Sequence, residues 1–153
     1  MTGAPCRQNL DSVLPLGLSL EDATAALFGF PPILPACTEW QIAFDREVGA
    51  YRLVCGLPDG AVQHLWIRED GTPVRAEVMA KNKAVYLADF GNFETTAKGV
   101  LPRRLRFVTP RNDTDFTIRY RSVELGPVIS PDDWTFDCPK GLKSLPLPCE
   151  ETP

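Results

Sequence analysis

The sequence is short of several residues and patterns on which common protein chemistries depend. It has one histidine among 153 residues, which excludes a metal site built from several histidines. Its five cysteines lack C-x-x-C spacing, so zinc ribbons and thioredoxin-like motifs are poorly supported. There is no Gly-rich phosphate loop, no Gly-x-Ser-x-Gly elbow and no His-Glu-x-x-His. We therefore predict no metal, no cofactor and no enzymatic activity.

The chain also lacks an excess of positive charge and a long run of hydrophobic residues. A net charge of -4 argues against nucleic acid, since binding a phosphate backbone normally needs clustered cations. The opening residues, MTGAPCRQNLDS, have no basic stretch followed by an apolar one, and no run of about 18 apolar residues follows. As written, the sequence predicts a chain that is neither exported nor membrane-spanning. Membrane association would require a lipidated N-terminal segment that this sequence does not contain.

What the sequence does contain fits one domain over residues 1–153, with an extended tail over 143–153. A hydrophobic content of 44% suffices for a core, and fifteen prolines spread along the chain indicate many turns between short elements. Buried or free thiols are favoured over disulfides, among which Cys138 with Cys149 is the most plausible pair.

Alternation of apolar and polar side chains is clearest over residues 101–141. Successive strand side chains point to opposite faces, so this period of two predicts one apolar and one polar face. The intervening arginines are then expected on a solvated face. The large apolar residues on alternate positions are Leu105 and Phe107, then Phe116, Ile118 and Tyr120, then Trp134 and Phe136.

One short helix is predicted over about ten residues, from a Ser19 cap to Gly29. Its apolar stripe, Leu20, Ala23 and Leu27 with Phe28 or Phe30, is expected to lie on a sheet.

Two Asp-Gly pairs, at residues 59–60 and 70–71, predict two-residue hairpin loops. The first loop would place Cys55 opposite His64 and Leu53 opposite Trp66 on the neighbouring strand. The second would place Trp66 opposite Arg75 and His64 opposite Glu77. The other face would carry an aliphatic row, extended by a third turn near Asn82 and Lys83. That row is Val54, Leu65, Ile67, Val74, Ala76, Val78, Val85 and Leu87. The first face, which includes Tyr51 and Tyr86, is expected to touch water or a partner.

Residues 89–99 lose the pattern and suggest a bulged strand or a loop. The fold class is therefore mainly β: an antiparallel meander of about eight strands that forms an unclosed half-barrel with one short plug helix.

The segment LPRRLRF, the following hairpin and the closing Trp-x-Phe-x-x-Pro-x-Gly resemble the last strands of the LolA/LolB-like lipoprotein carriers and a related uncharacterised lipoprotein group. The resemblance implies a periplasmic or outer-membrane protein with an apolar cavity for acyl chains and without catalytic residues. Family members begin with a secretion signal, a long helix and further strands. The chain would thus be a partial barrel or the C-terminal part of a longer one.

Matched by position, the resemblance and the alternation assign an apolar ligand-binding wall and plug. The wall consists of Leu105, Phe107, Phe116, Ile118, Tyr120, Trp134 and Phe136, and the plug includes Leu27 and Phe28. The apolar face has more large side chains than one helix covers, so it lines a cavity, receives further chain or packs as a filled core.

Cys55, His64 and Glu77 would supply a nucleophile, a base and an orienting acid, which is the arrangement that thiol catalysis needs. Mid-strand positions rarely present a nucleophile, and ordinary packing is favoured. We predict a non-catalytic envelope protein that binds lipid or lipoprotein acyl chains. The alternative is a ligand-free structural or interaction module that receives an envelope protein partner.

Overall fold

The computed structural model describes residues 2–3, 9, 20–126, 130, 141 and 146–147. Within these ranges the chain forms one helix, nine strands and one 3-10 turn, Pro110–Asn112. The elements are β1 (Thr2–Gly3), α1 (Leu20–Leu27), β2 (Gln41–Asp45), β3 (Ala50–Gly56), β4 (Val62–Ile67), β5 (Pro73–Ala80), β6 (Lys83–Thr96), β7 (Gly99–Thr109), β8 (Thr114–Arg119) and β9 (Pro146–Leu147). The short β1 and β9 pair in parallel with each other.

Strands β2 to β8 form one unclosed antiparallel sheet in sequence order. The predicted mainly β meander is therefore confirmed. Residues 89–99, which could have been a loop, belong mostly to the long strand β6, with an irregularity at Asn92 (φ 54). The predicted strand containing Trp134 and Phe136 lies outside the described residues.

The loop of the Asp59-Gly60 hairpin is one residue longer than predicted. Leu57 pairs with Ala61, and Gly60 (φ 80) donates its amide to the Leu57 carbonyl at 3.0 Å, so the loop has three residues. Such a loop combines a type I turn with a left-handed residue. Cys55 therefore opposes Gln63, and Leu53 opposes Leu65.

The shift moves several residues to the other face of the sheet. Val54 opposes His64 and so lies away from Leu65, which corrects the predicted aliphatic row. Tyr51, predicted on the polar face, opposes Ile67 on the apolar one.

The second hairpin has the predicted strand pairing despite a longer loop. Gly71 donates to the Arg68 carbonyl at 2.9 Å, again closing a three-residue loop. A bulge then places Val74 between the paired positions Pro73 and Arg75. The extra residue compensates for the longer loop. As predicted, Trp66 opposes Arg75 and His64 opposes Glu77.

The third turn lies at Lys81 and Asn82, both left-handed, one position before the predicted turn. Ala80 therefore opposes Lys83, and a bulge at Val85 then makes Val78 oppose Tyr86, which is buried in the core. Leu87 faces Glu77 on the other side of the sheet, and Val85 lies in a bulge and is exposed. The predictions for Tyr86, Val85 and Leu87 were therefore wrong.

The core lies on one face of the sheet and is built around small side chains. Ala76 and Ala88 oppose each other at the centre, and both are fully buried. From α1, Ala23 and Ala26 join the same cluster. The row of directly opposed residues that crosses six strands is Leu53, Leu65, Ala76, Ala88, Phe107 and Phe116.

Helix α1 thus covers the sheet through Ala23, which belongs to the predicted stripe, and through Ala26, which does not. Leu27, Phe28 and Phe30 are exposed, which corrects that part of the prediction. Small side chains allow a closer approach of helix and sheet, and the larger ones at the helix end are left at its margin.

Candidate functional site

An apolar pocket of about 240 Å³ lies at the C-terminal end of α1. Its walls come from the helix end, the start of β7, and the chain that follows β8. Almost all of its lining is apolar. The lining residues are Leu27, Phe28, Leu101, Pro102, Tyr120, Val123 and Leu125.

The helix end that forms one wall is closed by a left-handed glycine. The Phe30 amide donates to the Ala25 carbonyl and the Gly29 amide to the Ala26 carbonyl, both at 2.9 Å. This is the Schellman arrangement, and Gly29 has the required positive φ of 85°. A Cβ on Gly29 would lie only 2.6 Å from the Pro102 ring, so glycine also allows the helix to dock on β7.

Tyr120 connects the opposite wall to the helix. Its hydroxyl donates to the Leu27 carbonyl at 2.6 Å, which satisfies one carbonyl at the helix end. Its backbone amide donates to the Arg103 carbonyl at 3.0 Å. Burial raises the pKa of the Tyr120 hydroxyl, so the phenol stays neutral at physiological pH.

The third wall is the segment 121–126, which has no regular secondary structure. Two cationic side chains attach it to the sheet. Lys98 Nζ donates to the Leu125 carbonyl at 3.0 Å, and the Arg103 guanidinium donates to the Arg121 carbonyl. Arg103 also pairs with Glu94 at 3.2 Å. The pocket thus combines an apolar interior with a basic margin.

The structure divides the predicted site residues into two groups. Leu105 and Phe107 are buried in the core, with the half-buried Phe116 and Ile118 packed against it. Leu27, Phe28 and Tyr120, by contrast, line the pocket. Trp134 and Phe136 lie outside the described residues. Their ligand-binding role stays a prediction for every one of these residues.

Sequence reasoning missed how the linker between α1 and β2 is held. Gln63 is fully buried on the apolar face, and its Nε2 donates to the Pro32 carbonyl at 2.6 Å. Its Oε1 accepts the Leu34 amide at 3.0 Å, while its Nε2 lies 3.4 Å from the Tyr86 hydroxyl. A single polar residue at an apolar-facing strand position was the only available signal.

A disulfide between Cys37 and Cys55 fixes the same linker to β3. The prediction that favoured thiols is therefore wrong for this pair, and the Cys138 and Cys149 prediction lies outside the described residues. The disulfide also bears on the Cys55 and His64 arrangement. Cys55 opposes Gln63, so it lies on the other face of the sheet from His64.

The opposite face of the sheet carries a polar cluster around Trp66. The indole donates to Asp45 at 2.8 Å, and this hydrogen bond is the main cause that lowers the pKa of Asp45. Arg75 lies 5.7 Å from the indole ring centre and pairs with Asp89 at 2.7 Å. His64 stacks on the indole, and burial lowers the pKa of its imidazole. The Trp66 indole and the Arg75 guanidinium thus each have a carboxylate partner within the cluster.

A second groove, of about 580 Å³, lies near the end of β7. Lys83 and Arg111 contribute to its lining, so it is less apolar than the pocket at the helix end.

In the part of the chain that the structure describes, no three His, Cys, Asp or Glu side chains are grouped to hold a metal ion. Over the same residues, no helix has the length and apolar character needed to cross a membrane.

Comparison of the chain with protein families, with curated proteins and with solved structures gave no match.

Proposed function

We propose that this domain is a non-catalytic binding protein of the cell envelope that takes one apolar chain, such as an acyl chain, into the pocket at the end of α1. The observation that carries the proposal is the pocket lining, which offers almost no polar group to a ligand. Leu27 and Phe28 stay exposed there although they are large and apolar. An apolar ligand would remove their surface from water at about 25 cal/mol per Å².

The pocket volume limits the ligand to a small one. Pockets for drug-sized ligands usually enclose roughly 300 to 1,000 Å³. A volume of about 240 Å³ therefore suits the end of a single chain, and the several acyl chains of a lipoprotein anchor would not fit together. We accordingly narrow the expected ligand to one acyl chain.

Two observations support the envelope as the compartment. The disulfide between Cys37 and Cys55 is of a kind that persists in oxidising compartments, which include the periplasm. The resemblance of residues 101–141 to the LolA/LolB-like carriers points the same way.

A structural module without a ligand is the second candidate, and the filled core favours it. Leu105 and Phe107, which the resemblance places on a cavity wall, are buried by packing. In this case the pocket would be a packing defect at the margin of α1, and the domain would act through its surface.

The test compares two phenylalanines that are equally exposed. Phe28 and Phe30 are each 65% exposed, but only Phe28 lines the described pocket. We expect Phe28→Ala to weaken binding of a dansyl-labelled fatty acid about tenfold, which corresponds to about 1.4 kcal/mol of lost apolar contact. Phe30→Ala is the control and should bind the probe like the unaltered protein. The measurement is a fluorescence titration, with melting curves to check that both variants fold.

Two results would decide for the structural module. One is an unaltered protein that does not bind the probe, and the other is equal weakening by both substitutions. A native mass spectrum of protein purified from envelope extracts, without any bound lipid, would support the same conclusion.

A further inference from the structure

The two edge strands of the sheet, β2 and β8, differ in how they are protected. Edge strands expose unpaired backbone groups, and proteins usually block them with charged residues, proline or bulges. At β8 the exposed side chains include Asp115 and Arg119, and Asp115 makes a two-point ion pair with Arg106. Strand β2, QIAFD, has no lysine, arginine or proline, and its register with β3 is regular.

The side chains of β2 are open to water on both faces of the strand. Gln41, Ile42, Ala43 and Phe44 are all exposed, although successive residues point to opposite sides. Ile42 is 65% exposed and Phe44 56%. Among the described residues, only β3 pairs with this strand. Strand β2 thus combines a backbone edge that no described strand covers with two exposed apolar side chains, Ile42 and Phe44.

The apolar pair continues into the next strand. Phe44 opposes Tyr51, and their rings meet edge to face with centroids 5.3 Å apart. Ile42 opposes Leu53, which is half-buried. Any strand added along β2 would therefore gain backbone hydrogen bonds and apolar contacts at once.

We propose that β2 pairs with β2 of a second copy of this chain, antiparallel and about a two-fold axis at Ala43. In this register Ile42 of one copy faces Phe44 of the other, and the pair occurs twice because the interface is symmetric. Gln41 faces Asp45, so the only charge in the strand meets a neutral amide. The small Ala43 faces its own equivalent, which leaves no bulky side chain at the axis. The strand is complementary to itself, and this is why a second copy is the occupant.

The dimer is weak and depends on concentration. Each copy contributes a strand of only five residues and its neighbours, so we expect the interface to bury less than the roughly 1,200 to 2,000 Å² of stable specific interfaces. Pairing through β2 leaves the charged β8 edges outward, so the assembly closes at two copies. The proposal is independent of the pocket, whose Tyr120 follows the opposite edge strand.

Sedimentation velocity over a concentration series tests the proposal. We expect a monomer–dimer equilibrium whose midpoint moves at least about tenfold to higher concentration in Ile42→Lys, because the symmetric interface loses the contact twice. Val85→Lys is the matched control, since Val85 is an exposed aliphatic residue away from the β2 edge, and it should leave the midpoint unchanged.

Hydrogen exchange on the unaltered protein provides a second measurement that does not depend on a variant. The amides of residues 41–45 should exchange more slowly at high concentration, while those of β8 should not change. A protein that stays monomeric throughout, a dimer that tolerates Ile42→Lys, or assembly beyond two copies would each overturn the proposal.

Discussion

The linker between α1 and β2 and the end of α1 lie over the same face of the sheet, but they close it in different ways. The linker is held by a disulfide and by the buried amide of Gln63. The end of α1 is held by Tyr120, by Gly29 against Pro102, and by apolar contacts that leave a pocket. The linker is thus held by a covalent bond and several hydrogen bonds, whereas the helix end has one side-chain hydrogen bond and otherwise apolar contacts, which leave room for a ligand.

The largest expected effect on stability comes from removing the disulfide that holds the linker. A bond that joins residues 18 positions apart restricts the unfolded chain, and its loss should cost about 3 kcal/mol of unfolding free energy. We expect the double variant Cys37→Ala/Cys55→Ala to show this loss in urea unfolding. Adding reductant should lower the stability of the unaltered protein by a similar amount.

Reductant should leave the double variant unchanged, which serves as the control for the other cysteines. Equal stability of the double variant and the unaltered protein would show that the linker does not depend on this bond. Affinity for the fatty-acid probe should stay the same in the folded double variant, because the pocket lies at the other segment.

A smaller loss is expected when the buried amide is removed. Gln63→Leu would leave the Leu34 amide without its partner and the Pro32 carbonyl with only the 3.4 Å hydrogen bond from the Tyr86 hydroxyl, at a cost of about 2 kcal/mol. Gln41→Leu, at an exposed position of β2, is the control and should change stability little. If both variants unfold at the same urea concentration, then Gln63 does not hold the linker.

The smallest effect concerns the pocket side. Tyr120→Phe removes the hydroxyl bond to the Leu27 carbonyl and should cost about 1 kcal/mol. Tyr51→Phe, which alters an exposed tyrosine, should be neutral. The pKa of Tyr120 is raised in the folded state, so its contribution is complete below pH about 10 and is lost as the pH rises through the folded value.

The pH dependence of the unfolding free energy gives a second test of the role of Tyr120. Unfolding free energy measured at neutral and at alkaline pH should fall more in the unaltered protein than in Tyr120→Phe. An identical alkaline decline in both proteins would show that Tyr120 does not titrate against folding.

The alternation of apolar and polar residues correctly predicted which side chains of β7 and β8 share the apolar face. Leu105 opposes Ile118 and Phe107 opposes Phe116, as the period of two requires. The hairpins were predicted less well, because an Asp-Gly pair is compatible with loops of two or three residues. One additional loop residue moved Val54 to the other face, and a bulge at Val74 cancelled the same error in the next hairpin.

The candidate site followed from the sequence only in part. Leu27, Phe28 and Tyr120 were named as ligand-binding residues, and the structure brings these three together in one pocket. Pro102 and Val123 were not named, because neither stands out in an alternating pattern. Their place in the pocket depends on where the helix end docks.

The sequence by itself determined the strand periodicity, the position of the helix and the antiparallel order, since each depends on residues close together along the chain. Only the tertiary structure decided that Ala26 covers the sheet, that Gln63 binds the linker and that Cys37 joins Cys55. Those contacts join residues far apart in sequence, and they depend on strand register. A shift of one residue reverses the face of every side chain in a strand, and short-range patterns do not specify such a shift.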